Sequence, residues 1–311
     1  MSGKYRLLTR LDFDGLVCAA LLRRADMIDE IIFVHPKDMQ DRKVAVTDRD
    51  ISTNLPYVPG VHQAFDHHLS ETIRLQDKPD NLVIDPNAPS AARVVYNHLG
   101  GKERFPDFPQ DMLAAVDEAD AAQFTEFEQI FEPTGWVLLN HLIDPLTGLG
   151  RYDDRFRVPQ PRLVLDLVDA SLKHGVDEIL ELPDVKERVD FYFEAEAKAK
   201  EQITRCATVH QNLVVIDLRN ETTIHPVNRF VVYAMYPKCN ISMHTTWSPD
   251  KQRTVFAVGK SIVNPTSNTN VGELMLQYGG GGHVGAGTCQ VDNDKAEQVR
   301  AELIKRIAAE G

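Results

Sequence analysis

Short apolar runs broken by turn residues dominate the first quarter of the chain. Tyr5 to Leu11 (YRLLTRL), Glu30 to Val34 (EIIFV), Lys43 to Thr47 (KVAVT) and Val61 to Phe65 (VHQAF) have the length and the aliphatic and aromatic content of strands. Between the first two lies Leu16 to Arg24 (LVCAALLRR), whose unbroken apolar character predicts a buried helix. Strands alternating with helices or crossovers predict a mainly parallel sheet covered on both faces. Three of the strands run into aspartate, at Asp12, Asp48 and Asp66, so the pattern also predicts that their tips share one sheet edge.

Beyond residue 90 the period becomes helical. Ser90 to Leu99 has a serine at the N-cap position and a glycine pair after it. Asp111 to Ala122, Trp136 to Ile143, Pro161 to His174 and Asp184 to Cys206 also read as helices, the last rich in Glu, Lys and Ala. Phe124 to Asp154 is irregular overall, and Pro145 to Arg157 reads as a loop. From Leu213 the pattern returns to strands: LVVID, FVVYAMY, ISMHTTW and TVFAVGK, closed by a helix from Asp294 to Ala309. The fold class expected is therefore α/β, with a mainly parallel-sheet domain over residues 1–183. A connecting helix over 184–207 and a smaller α+β domain over 208–311 complete it.

Composition narrows the partners. At 311 residues two domains are expected, and 43% hydrophobic with 26% charged residues is ordinary for a soluble chain. A formal net charge of −12 argues against long nucleic acid or an anionic membrane as partner, while a local cationic pocket can still hold a short anion. Cys18, Cys206, Cys239 and Cys289 show neither disulfide nor zinc spacing. With no signal peptide and no apolar run of membrane-spanning length, a cytoplasmic protein is expected.

Candidate chemistry centres on Phe65-Asp66-His67-His68, at the end of a strand. Carboxylate beside imidazole suits a divalent cation such as manganese, magnesium or zinc. Asp12 and Asp14 stand two apart across a strand-to-helix turn at Gly15 and can either reach a cation or cap the helix. Asp48-Arg49-Asp50 reads as a metal ligand or an ordinary turn, and Asp117 and Asp120 as helix ligands or solvated charges. Carboxylates gathered at one edge repel unless a cation neutralises them. In the second half, Gly279 to Gly282 followed by His283 can form an anion nest or a linker. Lys260-Ser261 ends a strand and can add a cation and a hydroxyl.

Asp12-Phe13-Asp14, Asp48, Asp66-His67-His68, Asp120 and Gly279 to His283, in this order along nearly the whole chain, resemble the DHH phosphoesterase superfamily with its DHH-associated C-terminal domain. Its compact size is similar to the exopolyphosphatase-related and nanoRNase-like branch. The resemblance implies one or two divalent ions, most often manganese with magnesium an alternative. Asp12 would ligate the first ion, Asp14 the second, and Asp48 would bridge them. His67 and Asp120 would complete the second ion's shell, Asp66 would orient the histidines, and His68 would sit near substrate or nucleophile. His283, with Gly280, Gly281, Gly282, Lys260 and Ser261, would hold phosphate, and a homodimer is allowed. Two positions depart from the family pattern. Leu8-Thr9-Arg10-Leu11 lacks the histidine that precedes the first aspartates, for which His35 is a candidate substitute, and Lys260 stands where arginine is common.

These residues point to metal-assisted hydrolysis of a small phosphate compound: polyphosphate or pyrophosphate, a nucleoside bisphosphate, or a very short oligonucleotide. Two other readings stand beside it. One is a catalytically weakened nucleotide or phosphate sensor, motivated by the absent histidine. The other is a cyclic-dinucleotide phosphodiesterase, which rests on family breadth alone.

Overall fold

Leu7 and Leu8 are neighbours on one strand and bury completely on opposite faces of a sheet. That pattern fits a central parallel strand covered on both sides. The computed structural model describes residues 3–123 and 131–311; part of the irregular segment after Phe124 lies outside the described residues. The chain divides into two compact units, Met1–Phe193 and Glu194–Gly311.

In the first unit β1 (Tyr5–Thr9), β2 (Ile28–Phe33), β3 (Asp50–Thr53), β4 (Gln63–Asp66) and β5 (Leu82–Ile84) form an all-parallel sheet in the order β2-β1-β3-β4-β5. Leu7, Ile51 and Phe65 face α1 (Phe13–Arg24), whose Leu16, Leu21 and Leu22 are fully buried. Each leucine contributes roughly 1.5–3 kcal/mol of burial. Leu8, Ala64 and Leu82 pack on the other face with Met39 of α2 (Pro36–Gln40) and with Leu55 and Val58. The remaining α-helices of this unit, among the described residues, are α3 (Leu69–Arg74), α4 (Ala91–His98), α5 (Gly101–Arg104), α6 (Gln110–Asp120), α7 (Gly135–Ile143), α8 (Gln160–Ala170) and α9 (Val176–Leu180). The segment expected as a loop from Pro145 to Arg157 contains a 3-10 helix, Leu149–Arg155. The next helix, α10 (Pro183–Cys206), contains the division between the units.

One expected strand is displaced. Lys43 to Thr47 is irregular, and the sheet takes the next segment, Asp50–Thr53, instead. Asp-Ile-Ser-Thr looks too polar for an interior strand, yet all four residues are buried. Arg6 engages the Asp50 carboxylate with two nitrogens, at 2.7 and 2.9 Å, and Thr53 donates its hydroxyl to Thr9 at 2.8 Å. Polar side chains thus enter the core because neighbouring strands satisfy them.

The second unit is a six-stranded sheet in the order β10-β11-β9-β8-β7-β6. It comprises β6 (Ala207–His210), β7 (Leu213–Asp217), β8 (Ile241–Trp247), β9 (Arg253–Lys260), β10 (Gly281–Gly282) and β11 (Ala286–Asp292). Only β7 and β8 pair in parallel. Leu303 and Ile307 of α13 (Ala296–Glu310) pack on its core with Val271, Leu274 and Met275 of α12 (Val271–Leu276). The expected strand FVVYAMY is instead a short helix, α11 (Val231–Met235), started by Asn228, whose side chain and backbone carbonyls accept from Phe230 and Val231. A brief apolar run without alternation fits either state, and tertiary packing decides. Among the described residues no helix is long and apolar enough to cross a membrane.

Candidate metal centre

The strand order reverses at β1, which has β2 on one side and β3 on the other. In open parallel sheets a crevice forms beyond the strand tips at such a point, and ligands bind there. Three tips carry chemistry to this edge: β1 leads into Asp12 and Asp14, β3 into Asn54, and β4 ends at Asp66 followed by His67 and His68.

Asp14, His67 and Asp120 come together, each offering an atom within 4.8 Å of the others. His67 Nε2 lies 2.9 Å from Asp120 Oδ2 and 3.8 Å from Asp14 Oδ2, while its Nδ1 is 3.2 Å from the Ala88 carbonyl. That carbonyl contact fixes the ring, as outer partners of metal-binding histidines do. Asp14 is held by the start of α4, accepting the N–H groups of Ala91 and Ala92 at 2.9 and 2.7 Å. Burial, then the charge of Asp120, pushes the Asp14 carboxyl up to about 7. Burial opposes charge on His67 as well, but Asp120 and Asp14 outweigh it and raise the ring to about 10. Two carboxylates and an imidazole converging in a buried pocket are the donor set of a divalent-cation site.

Asp66 is 1% exposed and sets the orientation of His68, with Oδ1 2.7 Å from His68 Nδ1. Burial works against the Asp66 charge, yet His68 and His67 hold the carboxyl below its usual range.

Asp12 has different surroundings. It caps α1 through the Gly15 N–H at 2.9 Å, accepts from the Asn54 amide at 3.2 and 3.3 Å, and pairs with Arg10 Nε at 3.0 Å. Both the capping role and the placement at the strand edge are realised in this one residue. The sequence pattern did not single out Arg10 or Asn54. Asn54 carried a weak signal, since asparagine is among the residues that enter the left-handed region, and its φ is +54°.

Asp48 does not reach this edge. It lies in the exposed turn before β3, at the opposite end of the strand, because β3 begins at Asp50. Asp117 faces Arg93 and the Ser90 hydroxyl, locking α6 to the start of α4, while Asp120, three residues on, meets His67. His35 caps α2, its Nδ1 accepting the Lys37 N–H at 3.1 Å.

In the second unit Lys260 and the glycine run are adjacent: the Lys260 N–H donates to the Gly285 carbonyl at 2.8 Å, and Ala286 pairs with Gly259. Gly279, Gly280 and His283 donate their N–H groups to Leu276, Met275 and Ala286. Gly281 and Gly282 pair with Thr288 and Gly287 across β10 and β11. A Cβ on Gly280 would lie 2.0 Å from the Thr288 carbonyl, so close strand packing demands glycine there. The buried Ser261 hydroxyl oxygen accepts from Val263 and Asn264, closing the turn after β9.

No family model matches the chain and no curated protein matches it. Among solved structures it is similar to PggH, a pGpG-specific phosphodiesterase from Vibrio cholerae. The two share 54% identity over 99% of this chain and 100% of that one, with a TM-score of 0.75. The chain belongs to the DHH phosphoesterase superfamily. RecJ from Thermus thermophilus, solved in complex with Mn2+, shares the fold at a TM-score of 0.53 with 14% identity. It is matched over 99% of this chain and 52% of its own length.

As a DHH phosphoesterase the protein is a hydrolase of phosphate ester bonds. Its DHH triplet is Asp66-His67-His68, and Asp14, His67 and Asp120 fit one divalent cation by their donor chemistry. Around Asp12 the residues do not fit a second ion in the same way. Every contact named there is a donor, and the tip of β3 brings an amide in place of a carboxylate.

Proposed function

We propose that this protein hydrolyses the phosphodiester bond of a short linear dinucleotide of the pGpG type, releasing mononucleotides. One observation carries the reading: 54% identity over the full length of a phosphodiesterase described as pGpG-specific. The acidic surface, with net charge −12, disfavours long nucleic acid and accords with a very small substrate.

Asp14, His67 and Asp120 would hold a divalent cation, manganese or magnesium, which when bound supplies Lewis-acid polarisation of the phosphoryl group and eases deprotonation of water. Asp66 accepts from His68 Nδ1, which fixes the ring and makes Nε2 the nitrogen that exchanges protons. Hydrolysis forms a P–O bond from water and breaks the bond to the leaving sugar oxygen. His68 takes the water proton and the leaving oxygen receives one. Lys260, Ser261, His283 and the glycine turn, which lie together in the second unit, would hold a phosphate of the substrate.

The test is hydrolysis of pGpG, a cyclic dinucleotide, pyrophosphate, polyphosphate and a nucleoside bisphosphate with Mn2+ or Mg2+, followed by chromatography of products. Mononucleotide release from pGpG, abolished in Asp66→Ala, is the expected result. Turnover of any of the other compounds in preference to pGpG, or of none at all, would overturn it.

A further inference from the structure

Asp12, Arg10 and Asn54 form a cluster at the tips of β1 and β3 that the proposed mechanism does not use. The Asp12 carboxylate is 13% exposed and accepts at both oxygens: Gly15 N–H and the Asn54 amide at one, Arg10 Nε and the same amide at the other. An amide nitrogen that donates toward Asp12 turns a positive edge to the place where a second cation would sit. Two-ion sites hold their ions about 3.5–4 Å apart between shared oxygen ligands. From β3 no carboxylate arrives to be shared, because Asp48 lies at that strand's other end and Asn54 at its tip. The positive charge is supplied instead by a guanidinium that never deprotonates.

We propose that Arg10 stands in for the second divalent cation beside Asp12, so that the active site of this chain works with one ion, at Asp14, His67 and Asp120. This rests on the metal-centre reading given above. The surroundings of Arg10 agree: burial opposes its charge, but Asp12, Asp120, Asp144 and Asp14 together raise its affinity for the proton. Arg10 therefore offsets part of the negative charge around it, that of Asp12 most directly. Arg10 is a positioning and charge-balancing residue here, fixed by a strand-to-helix turn that keeps Asp12 as the cap of α1.

Metal content separates the outcomes. The full-length protein, stripped with chelator and equilibrated with Mn2+ by dialysis, should carry one ion per chain by elemental analysis. A variant with both Arg10→His and Asn54→Asp, which restores a nitrogen and a carboxylate ligand, should carry two, with its melting temperature recorded to show that it folds. Two ions in the unaltered protein would overturn the inference and leave the metal centre standing, whereas no ion would overturn both. A folded double variant that stays at one ion would also count against Arg10. Should the double variant not fold, the count in the unaltered protein still decides.

Discussion

His67 Nε2 lies 2.9 Å from the Asp120 carboxylate, which ties the residue after β4 to the last residue of α6. Asp117, on the same helix, is bound instead by Arg93 and Ser90. The two aspartates should therefore fail in different ways. Asp120→Asn should lower affinity for Mn2+ by roughly 100-fold or more, at or beyond the upper end of the 10–100-fold loss of outer partners. It should also lower the stability of the metal-free protein near neutral pH by removing the main partner of His67. Asp117→Asn should leave affinity nearly intact and cost about 1.5–3 kcal/mol of stability, the worth of a hydrogen bond to a charged group. Isothermal titration with Mn2+ and urea unfolding of both variants check this.

The metal-free protein should lose stability as pH rises. His67 has its folded pKa raised from 6.5 to about 10, because Asp120 and Asp14 outweigh its burial. A raised value means that the folded state binds the proton more tightly. The stabilisation is complete below about 6.5 and disappears as pH climbs through about 10. Melting curves in chelator should fall across this window and flatten in Asp120→Asn, which removes the main partner. A melting temperature that stays level or rises between pH 7 and 10 would contradict the geometry.

Asp48 and Asp50 are two residues apart and should behave oppositely to the sequence expectation. Asp48 is exposed, so Asp48→Ala should leave stability within about 0.5 kcal/mol and metal content unchanged. Asp50 is buried. Its burial raises the carboxyl, but hydrogen bonds from Arg6 and the Thr47 N–H outweigh that and hold it below its usual range. Asp50→Asn should cost roughly 2–4 kcal/mol, somewhat below the usual figure for breaking a buried pair because Arg6 can still reach water. A depressed value gives stability that is present above the unfolded pKa and lost as pH falls through the folded one. The acid limb of the unfolding profile should therefore soften in Asp50→Asn.

The glycine run can be divided by substitution. A Cβ at Gly280 meets the Thr288 carbonyl at 2.0 Å, and one at Gly285 meets nothing within 4 Å. Gly280→Ala should destabilise the second unit by more than about 3 kcal/mol, as forced overpacking and backbone shift require. Gly285→Ala should fold normally. If substrate phosphate approaches this turn closely, the KM of Gly285→Ala should rise with kcat little changed, which steady-state kinetics will read.

Much of this protein was legible in its residues, because local signals and function coincide. Apolar runs with a helix between them specify a parallel sheet. The spacing of Asp12-Phe13-Asp14, Asp66-His67-His68 and Gly279 to His283 is specific enough to point to the DHH superfamily without coordinates. The sequence by itself determined these, since each depends on neighbours in the chain or on a motif of unusual composition. The tertiary structure alone decided three others. Asp-Ile-Ser-Thr became the interior strand over Lys43 to Thr47 because Arg6 and Thr9, from β1, satisfy its polar groups. That shift carried Asp48 away and brought Asn54 to the site. Asp120 was separated from Asp117 by the partners that α4 and β4 present to α6, and Arg10 acquired its place beside Asp12 at the end of β1. The first two are decided by contacts between segments distant in the chain, and Arg10 reaches Asp12, two residues on, through the turn between β1 and α1; no local periodicity reports either kind of contact.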